Sequence, residues 1–498
     1  MLTGPGTWRT KLASRSLATA LVLAGSGGAV AASLVETACS KDNPSASSPP
    51  PVVIGVSFGL TGSLGTFSAP LLNAVRAAEG EINANGGVLG RPVRFEVVDD
   101  TSDEGPDAGS KIRNVIQGFA NEGVAAVIGP IGSGQVVASA QILSDKQIIS
   151  ISPSATSVQL TTLQTDDARF LFRTTPADDF QGAAVIQFAK QTPHGIDPDG
   201  GVVLPPQGTG DAGDAGSGTA ALGACANMGL AYINNSYGTS MAQYIKANFA
   251  NKVTNGVVRE IVLPLDAVSS YDSFIDDFFS KPTPFTPDCL AIIAYTDTGV
   301  QFVKDFNKHL MAHPQGNSFF FIGTDGVFTQ GFIDTALIDP TDPSKGAVTN
   351  NVFGTNPDTN PVTSDYAAFK TVFASYFPLA AGTDAPAFAS NAYDAAILAA
   401  LAVERAGSAT DRIAIRNSLK LVAAPPGIPV GPAEVGKALT LIRAGTDIDY
   451  QGGSGLVDLQ ANGNVLGGFI VWEVVNDPAL KKVVYRTVAR FSQADLAQ

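Results

Sequence analysis

From residue 52 onwards, short apolar runs alternate with segments in which apolar residues recur every three or four positions. The run Val52–Phe58 is apolar and rich in β-branched residues, as a buried strand requires. Asn85-Gly86-Gly87 predicts the end of the helix that follows this strand. The buried face of that helix is predicted from the spacing of 4, 3 and 4 residues between Leu71, Val75, Ala78 and Ile82.

The same alternation produces two sets of predicted strands. In the first set, further strands are predicted at 93–98, 124–128 and 148–151. In the second set, strands are predicted at 230–234, 258–263, 290–294 and 319–322. Apolar strands that alternate with helices form parallel sheets with helices on both faces. The sequence therefore predicts an α/β fold with two doubly wound parallel-sheet lobes.

Two later features depart from this alternation. Residues 364–443 are mostly helical in pattern, and strand-like stretches follow at 455–459 and 468–475. Residues 192–229 are rich in Gly, Asp and Pro and have no periodicity, which is typical of a surface insertion. No chemistry is assigned to that insertion.

Residues 1–38 have the layout of a secretory signal peptide. Arg9, Lys11 and Arg15 precede an apolar run at 17–24, and small residues follow it. The alternative is a transmembrane anchor, but the apolar run is short for a membrane span. The signal places the protein outside the cytoplasm.

Cys39 follows this segment in the order Thr37-Ala38-Cys39, which resembles a bacterial lipobox. Glu36 departs from that pattern, because an aliphatic residue is usual there. The resemblance implies lipid attachment at Cys39, with residues 39–51 as a disordered tether. Contact with the membrane is then expected through the lipid anchor only.

The net charge of the 498-residue chain is −14. Such a chain repels phosphate backbones and anionic lipid surfaces, so nucleic acid is excluded as a partner. Cys225 and Cys289 are the cysteines left after Cys39. In an exported protein such a pair is expected to form a disulfide, and two buried free thiols are the alternative.

The sequence contains few residues or motifs that are typical of catalytic sites. His309 and His313 have the spacing of two zinc ligands on one helical turn, but the metalloprotease glutamate is missing between them. The acidic residues Asp99, Asp100, Asp103 and Glu104 are better explained as carboxylates of a strand-end turn and a helix cap than as a cation site. With no nucleophile elbow and no phosphate loop in the sequence, we expect no enzyme activity, metal or cofactor.

Polar residues follow the predicted strands at the positions where doubly wound sheets bind ligands. In the first lobe these positions carry hydroxyl groups and a helix N-terminus, which suit a carboxylate. In the second lobe they carry tyrosines and carboxylates, which suit an ammonium group. The alternative is that they only cap helices and turns. The six segments are 61–67 (TGSLGTF), 129–133 (GPIGS), 152–156 (SPSAT), 235–238 (NSYG), 295–297 (YTD) and 323–326 (GTDG).

Short motifs in a fixed order over residues 52–475 resemble the type I periplasmic binding proteins of the leucine/isoleucine/valine-binding family. The motifs that carry the resemblance are 54–62 (IGVSFGLTG), 81–87 (EINANGG), 90–93 (GRPV), 97–100 (VVDD), 127–130 (VIGP), 151–156 (ISPSAT), 172–174 (FRT), 391–395 (NAYDA) and 455–458 (GLVD).

The resemblance implies a role for each of seven side chains. Ser133, Ser154 and Thr156 match the residues that hold the carboxylate of an amino acid. Asp325 matches the partner of its ammonium group, although the branched-chain binder has a glutamate there. Phe67, Tyr237 and Tyr295 match the aromatic walls of the pocket.

The resemblance also implies two lobes joined by a three-strand hinge. We expect the first lobe at 52–174 and 353–463, and the second at 175–352 and 464–498. The expected function is capture of a branched-chain or other small, apolar amino acid by a monomer, with delivery to the permease subunits of an ABC transporter. The alternatives are a ligand such as an amide, urea or aromatic acid, and a role in sensing instead of transport.

Overall fold

The computed structural model describes residues 49–102, 108–190, 194–196, 202–203, 224–281, 283, 285–313, 319–338, 351–477 and 482–496. The signal peptide, Cys39, most of the tether and most of the insertion predicted from the sequence lie outside these residues. Within them, no helix combines the length and the apolar character that a membrane span needs.

The strands of the described residues are, in chain order, β1 (Val52–Phe58), β2 (Val93–Asp99), β3 (Val127–Ile128), β4 (Ser150–Ser152), β5 (Leu171–Arg173), β6 (His194–Ile196), β7 (Val202–Val203), β8 (Asn227–Ile233), β9 (Val257–Leu263), β10 (Cys289–Ile293), β11 (Phe320–Gly323), β12 (Val352–Pro357), β13 (Ile428–Val430), β14 (Ile448–Gly452), β15 (Gly455–Leu456), β16 (Phe469–Asp477) and β17 (Lys482–Phe491).

The α-helices of the same residues are α1 (Gly65–Ala84), α2 (Ala108–Glu122), α3 (Ser133–Lys146), α4 (Asp178–Lys190), α5 (Ser236–Lys252), α6 (Asp272–Ser280), α7 (Thr296–Ala312), α8 (Gln330–Phe332), α9 (Ser364–Tyr376), α10 (Ala389–Ala406), α11 (Arg412–Val422), α12 (Val435–Arg443) and α13 (Gln493–Leu496).

Two main sheets have the same winding. In the described residues, the first sheet has the order β2-β1-β3-β4-β5 and all its pairings are parallel. The parallel part of the second sheet has the equivalent order β9-β8-β10-β11-β12, and β16 and β17 extend it as antiparallel strands. The α/β class with two doubly wound lobes is therefore confirmed.

This winding decides where a ligand can bind. The strand order reverses between β1 and β3 in the first sheet and between β8 and β10 in the second. At such a switch point the connections leave to opposite faces, so a crevice opens at the C-terminal ends of the strands. Each lobe therefore presents a crevice, built by its first, third and fourth strands.

The strands are apolar because helices cover both faces of each sheet. In β1, Ile54, Val56 and Phe58 are all completely buried. The end of α1 agrees with the sequence prediction, because Gly86 and Gly87 have positive φ values of 89° and 69°. At Gly87 a Cβ atom would lie 1.9 Å from the carbonyl oxygen of Arg91, so only glycine fits.

The second boundary between the lobes differs from the predicted one. The sequence predicts that the chain returns to the first lobe at residue 353. Residue 353 lies in β12, however, and β12 pairs with β11 in the second sheet. The chain therefore leaves the second sheet after Pro357. The sequence could not show this, because an apolar strand is equally suited to either sheet.

Cys225 and Cys289 are joined by a disulfide, with a Cα–Cα distance of 5.6 Å. Cys289 begins β10, and Cys225 lies two residues before the neighbouring strand β8. The disulfide therefore closes the N-terminal edge of the second sheet. The candidate ligand site is at the opposite, C-terminal edge.

Candidate functional site

A cavity lies where the C-terminal ends of strands from the two sheets face each other. All seven side chains predicted from the sequence line it, so six separate segments of the chain meet at one place. The lining residues are Ser63, Leu64, Thr66, Phe67, Ile131, Ser133, Ser154, Thr156, Tyr237, Tyr295, Thr296, Asp325 and Gly326.

The cavity is narrow and adjoins a much larger cleft. Its volume is about 30 Å³, which is room for about two water molecules. Thr66, Phe67 and Thr296 line both this cavity and an outer cleft of about 1420 Å³. An organic ligand can therefore enter from the outer cleft only if the two walls of the inner cavity move apart.

On the wall formed by the first lobe, the start of α3 is tied to the turn that follows β4. Ser133 is the first residue of α3, and its hydroxyl accepts a hydrogen bond of 3.2 Å from the Ser157 N–H group. The hydroxyl of Ser154 donates to the carbonyl of Ile131 at 3.0 Å. These contacts place hydroxyl groups beside a helix N-terminus, where partial positive charge favours an anion.

The Thr156 N–H group lies in the same turn. No hydrogen bond from this group is found within the described part of the chain, whereas its neighbours donate to hydroxyl groups: Ala155 to Ser152 and Ser157 to Ser133. A buried N–H group normally has an acceptor. The turn therefore offers a donor to a ligand.

On the wall formed by the second lobe, Tyr237 and Asp325 are hydrogen-bonded. The Tyr237 hydroxyl donates to Oδ1 of Asp325 at 2.7 Å and accepts from the Gly326 N–H group at 3.3 Å. The ring of Tyr237 stacks on that of Tyr295, with centroids 5.5 Å apart and planes 7° from parallel. A carboxylate beside two aromatic faces is a suitable environment for an organic cation.

Burial raises the pKa of Asp325 to about 6, although the hydrogen bond from Tyr237 opposes the rise. The side chain is only 7% exposed. An ionised carboxylate in such a place is costly unless a cation pairs with it. Asp325 is therefore prepared for a positively charged partner, and none of the residues that the structure describes forms a salt bridge with it.

Asp178 is a second carboxylate in this region, and the sequence analysis missed it. It begins α4, is fully buried, and its Oδ1 has no hydrogen-bond partner among the described residues. Burial, followed by the nearby charge of Asp325, raises the pKa of Asp178 well above its ordinary value. The same strand-end rule, extended to β5, would have drawn attention to it.

Phe67 lines the apolar part of the cavity and packs edge-on against Phe388, with ring centroids 5.5 Å apart. Leu64 and Ile131 add apolar surface beside it. The cavity lining thus combines these apolar groups with the polar groups of the two lobes.

The acidic residues after β2 have a structural role. Oδ1 of Asp99 accepts hydrogen bonds from the N–H groups of Leu60, Thr61 and Thr101. Asp100 accepts from the hydroxyl of Ser57 at 2.8 Å. Both carboxylates therefore hold the turn after β1. Over the described part of the chain, no group of three or more His, Cys, Asp or Glu residues is arranged to hold a metal ion.

The comparisons with known proteins agree with this geometry. Residues 51–434 match the family described as periplasmic binding protein. The chemotactic signal transduction system substrate-binding protein BasB of Halobacterium salinarum is 24% identical to this chain over 432 residues, which are 86% of this chain and 87% of that protein. Leu/Ile/Val-binding proteins of Brucella and Rhizobium are also among the relatives.

Two solved structures share the fold. The leucine-binding protein LivK of Thermotoga maritima has a TM-score of 0.63 and 18% identity, over 89% of this chain and 99% of that chain. A solute-binding protein of R. palustris, in complex with 4-hydroxybenzoate, has a TM-score of 0.63 and 14% identity, over 90% and 98% of the two chains.

The family and these relatives are substrate-binding proteins, which confirms the prediction that the chain is not an enzyme. A family model that matches most of the chain, together with the two lobes and the cavity between them, settles the classification. The chain belongs to the periplasmic binding proteins, as a type I member of the leucine/isoleucine/valine-binding family.

Proposed function

We propose that this protein captures an amino acid with a branched-chain or other small, apolar side chain between its two lobes and delivers it to an ABC transporter. The observation that carries the proposal is the division of the cavity into two walls of opposite character. Hydroxyl and N–H donors lie on the first lobe, and the buried carboxylate of Asp325 with two stacked tyrosines lies on the second.

The α-carboxylate is bound by the first lobe. The Ser133 hydroxyl at the N-terminus of α3 and the Thr156 N–H group supply its hydrogen bonds, and the Ser154 hydroxyl adds one only by turning away from the Ile131 carbonyl. These donors are fixed by the bonds that join the two segments, so their geometry is set before the ligand arrives. A prearranged set of donors binds with less loss of entropy than a flexible one.

The α-ammonium group is bound by the second lobe. Asp325 supplies the opposite charge, and the faces of Tyr237 and Tyr295 supply cation–π contact. A zwitterion therefore needs both lobes at once, which gives the ligand a higher affinity for the closed form than for the open form. Phe67, Leu64 and Ile131 contact the side chain and set the preference for an apolar ligand.

A thermal-shift screen of the purified protein against the twenty amino acids tests the proposal. A ligand at 100 times its Kd stabilises the folded state by about 2.7 kcal/mol. We expect a shift with apolar amino acids that is lost in Asp325→Asn. Asp305→Asn is the matched control, because Asp305 on α7 is also buried but lies outside the cavity lining. Its carboxylate accepts from the N–H group of Tyr271, which precedes α6.

The second candidate ligand is an aromatic acid. The related structure with 4-hydroxybenzoate and the stacked tyrosines of this cavity favour it. Such a ligand has no cation to pair with Asp325 and Asp178, which is why we prefer an amino acid. A thermal shift with hydroxybenzoates and none with any amino acid would reverse this choice.

A role in sensing is the alternative to transport, and the relative named for chemotactic signal transduction supports it. If deletion of the gene abolishes uptake of the ligand and leaves chemotaxis unaffected, transport is favoured.

The proposal also includes lipid attachment at Cys39 and a monomeric state. Metabolic labelling with palmitate, compared with Cys39→Ser, tests the first, and light scattering of the purified protein tests the second.

A further inference from the structure

Arg173 is a fully buried cation whose hydrogen bonds go mainly to the backbone. It is the last residue of β5 and is only 1% exposed. No carboxylate among the described residues forms a salt bridge with it. Burial lowers the pKa of its guanidinium to about 10, so it remains charged at neutral pH. The charges of Asp178 and Asp179 act on it without a direct contact, so this buried charge depends on its hydrogen bonds.

One nitrogen of this guanidinium holds the turn that follows β4. Nη1 donates to three successive carbonyl oxygens: those of Ala155 at 3.3 Å, Thr156 at 2.8 Å and Ser157 at 3.0 Å. Because the Thr156 carbonyl is bound on the side of the turn that faces Arg173, the Thr156 hydroxyl and N–H group can face the cavity on the other side. Arg173 itself does not line the cavity.

The rest of Arg173 holds a segment that connects the two lobes. Nε donates to Oδ1 of Asn464 at 2.9 Å, and the backbone N–H group of Arg173 donates to the carbonyl of Gly463 at 3.0 Å. Residues 463–468 lead from the first lobe into β16 of the second sheet. The Asn464 amide also donates to the hydroxyl of Thr161 at 3.0 Å, which accepts from Nη2 of Arg173 as well.

We propose that Arg173 is a positioning residue that couples the connecting segment 463–468 to the ligand-facing turn at Ser154 and Thr156. The inference rests on the proposed function of that turn in binding a carboxylate. A change in the connecting segment when the lobes close is transmitted through one rigid, planar group to the donors that hold the ligand. Lysine cannot replace this group, because its ammonium cannot reach both ends.

The chain offers a control in Arg169, which differs from Arg173 in forming an ion pair with Asp166 at 3.3 Å. This guanidinium is buried to the same extent and also donates to backbone carbonyls, those of Leu160 and Thr161, at 3.4 and 3.0 Å. These carbonyls lie outside the ligand-facing turn. A general structural role predicts similar effects of Arg169→Lys and Arg173→Lys, whereas a positioning role predicts different effects on ligand affinity.

The first experiment measures the Kd of L-leucine by calorimetry, with folding checked by circular dichroism and thermal melting. We expect Arg173→Lys to weaken binding on the order of tenfold or more, as displacement of a binding group does. Arg169→Lys should leave the Kd within about twofold of the wild-type value. It should lower the melting temperature by about as much as Arg173→Lys does. Equal losses of affinity in the two variants would overturn the proposal.

The second experiment needs no ligand and uses Asn464→Ala, which removes the two hydrogen bonds of the Asn464 side chain to Arg173 and Thr161 and leaves Arg173 in place. Hydrogen exchange of the amides at 154–158 should become faster in Asn464→Ala and in Arg173→Lys. The double variant should exchange no faster than Arg173→Lys alone, because both changes act through one link. Unchanged exchange at 154–158 in Asn464→Ala would refute the coupling. If wild-type protein binds no amino acid, the proposed function fails, and this exchange measurement still decides the role of Arg173.

Discussion

The hydroxyl of Tyr237 donates a hydrogen bond of 2.7 Å to Oδ1 of Asp325, and both groups are buried. This bond joins the start of α5 to the end of β11, the first and fourth strand ends of the second lobe. It directs the carboxylate toward the cavity and partly offsets the cost of burying its charge. The rest of that cost remains until a cation binds, and the first three predictions follow from this.

The first prediction concerns stability without ligand. Because the folded-state pKa of Asp325, about 6, lies above the ordinary value of 3.8, the stability linked to this group is present at low pH and lost as pH rises through about 6. Asp325→Asn should therefore raise the free energy of unfolding at pH 7.5 by on the order of 2 kcal/mol, and by less at pH 4.5. Urea denaturation at both pH values measures this difference. No gain is expected for Asp305→Asn, and a loss of stability in Asp325→Asn at pH 7.5 would contradict the prediction.

The second prediction concerns the pH dependence of binding. An ammonium ligand requires ionised Asp325, so below pH 6 binding must also release a proton. The Kd of the amino acid found in the screen should rise about tenfold for each pH unit below 6 and stay nearly constant between pH 7 and 8. Calorimetry in buffers of different ionisation enthalpy counts the released proton. A Kd that is equal at pH 5 and pH 7 would argue against the pairing.

The third prediction separates the hydroxyl of Tyr237 from its ring. Tyr237→Phe keeps the stacking on Tyr295 but removes a hydrogen bond that lowers the pKa of Asp325. The pH below which binding weakens should therefore move upward, with a modest loss of affinity at pH 8. Titrations from pH 5 to pH 8 measure the shift. Tyr271→Phe is the control, since its buried ring lies in the second lobe but outside the cavity lining.

The fourth prediction concerns the disulfide. Cys225 and Cys289 are separated by 64 residues, so their link restricts a large loop of the unfolded chain. Replacing both by serine should lower the free energy of unfolding by about 2–4 kcal/mol. The Kd should stay within about twofold, because the cysteines lie at the edge of the second sheet that faces away from the cavity. A large loss of affinity in a folded double variant would show that this edge influences the site.

Much of the candidate site could be predicted from local sequence. Alternating apolar runs and helical faces located strands such as Val52–Phe58 to within a few residues, because burial on both faces imposes that pattern. Within the polar segments after those strands, the resemblance to the family then singled out Phe67, Ser133 and Asp325. Parallel strands bring their C-terminal ends to one edge, so segments far apart in the chain meet there without further information.

The weaker predictions involve strands with no distinctive pattern. β17 was not predicted, although it pairs with β16 along the edge of the second sheet. Its residues are only partly buried, and charged side chains interrupt its apolar ones. β13 and β14 form a small sheet with β15, and they are too short to stand out from the helices around them.

Local periodicity and short motifs were therefore sufficient to predict the class of fold, the family and seven of the residues that line the cavity. The unpartnered Oδ1 atom of Asp178, the pKa of Asp325 and the bonds from Arg173 to the ligand-facing turn become apparent only in the folded structure. These depend on burial and on contacts between residues as distant as Arg173 and Asn464. Such contacts leave no periodic trace in the chain, because they arise only when the two sheets and the segments between them pack together.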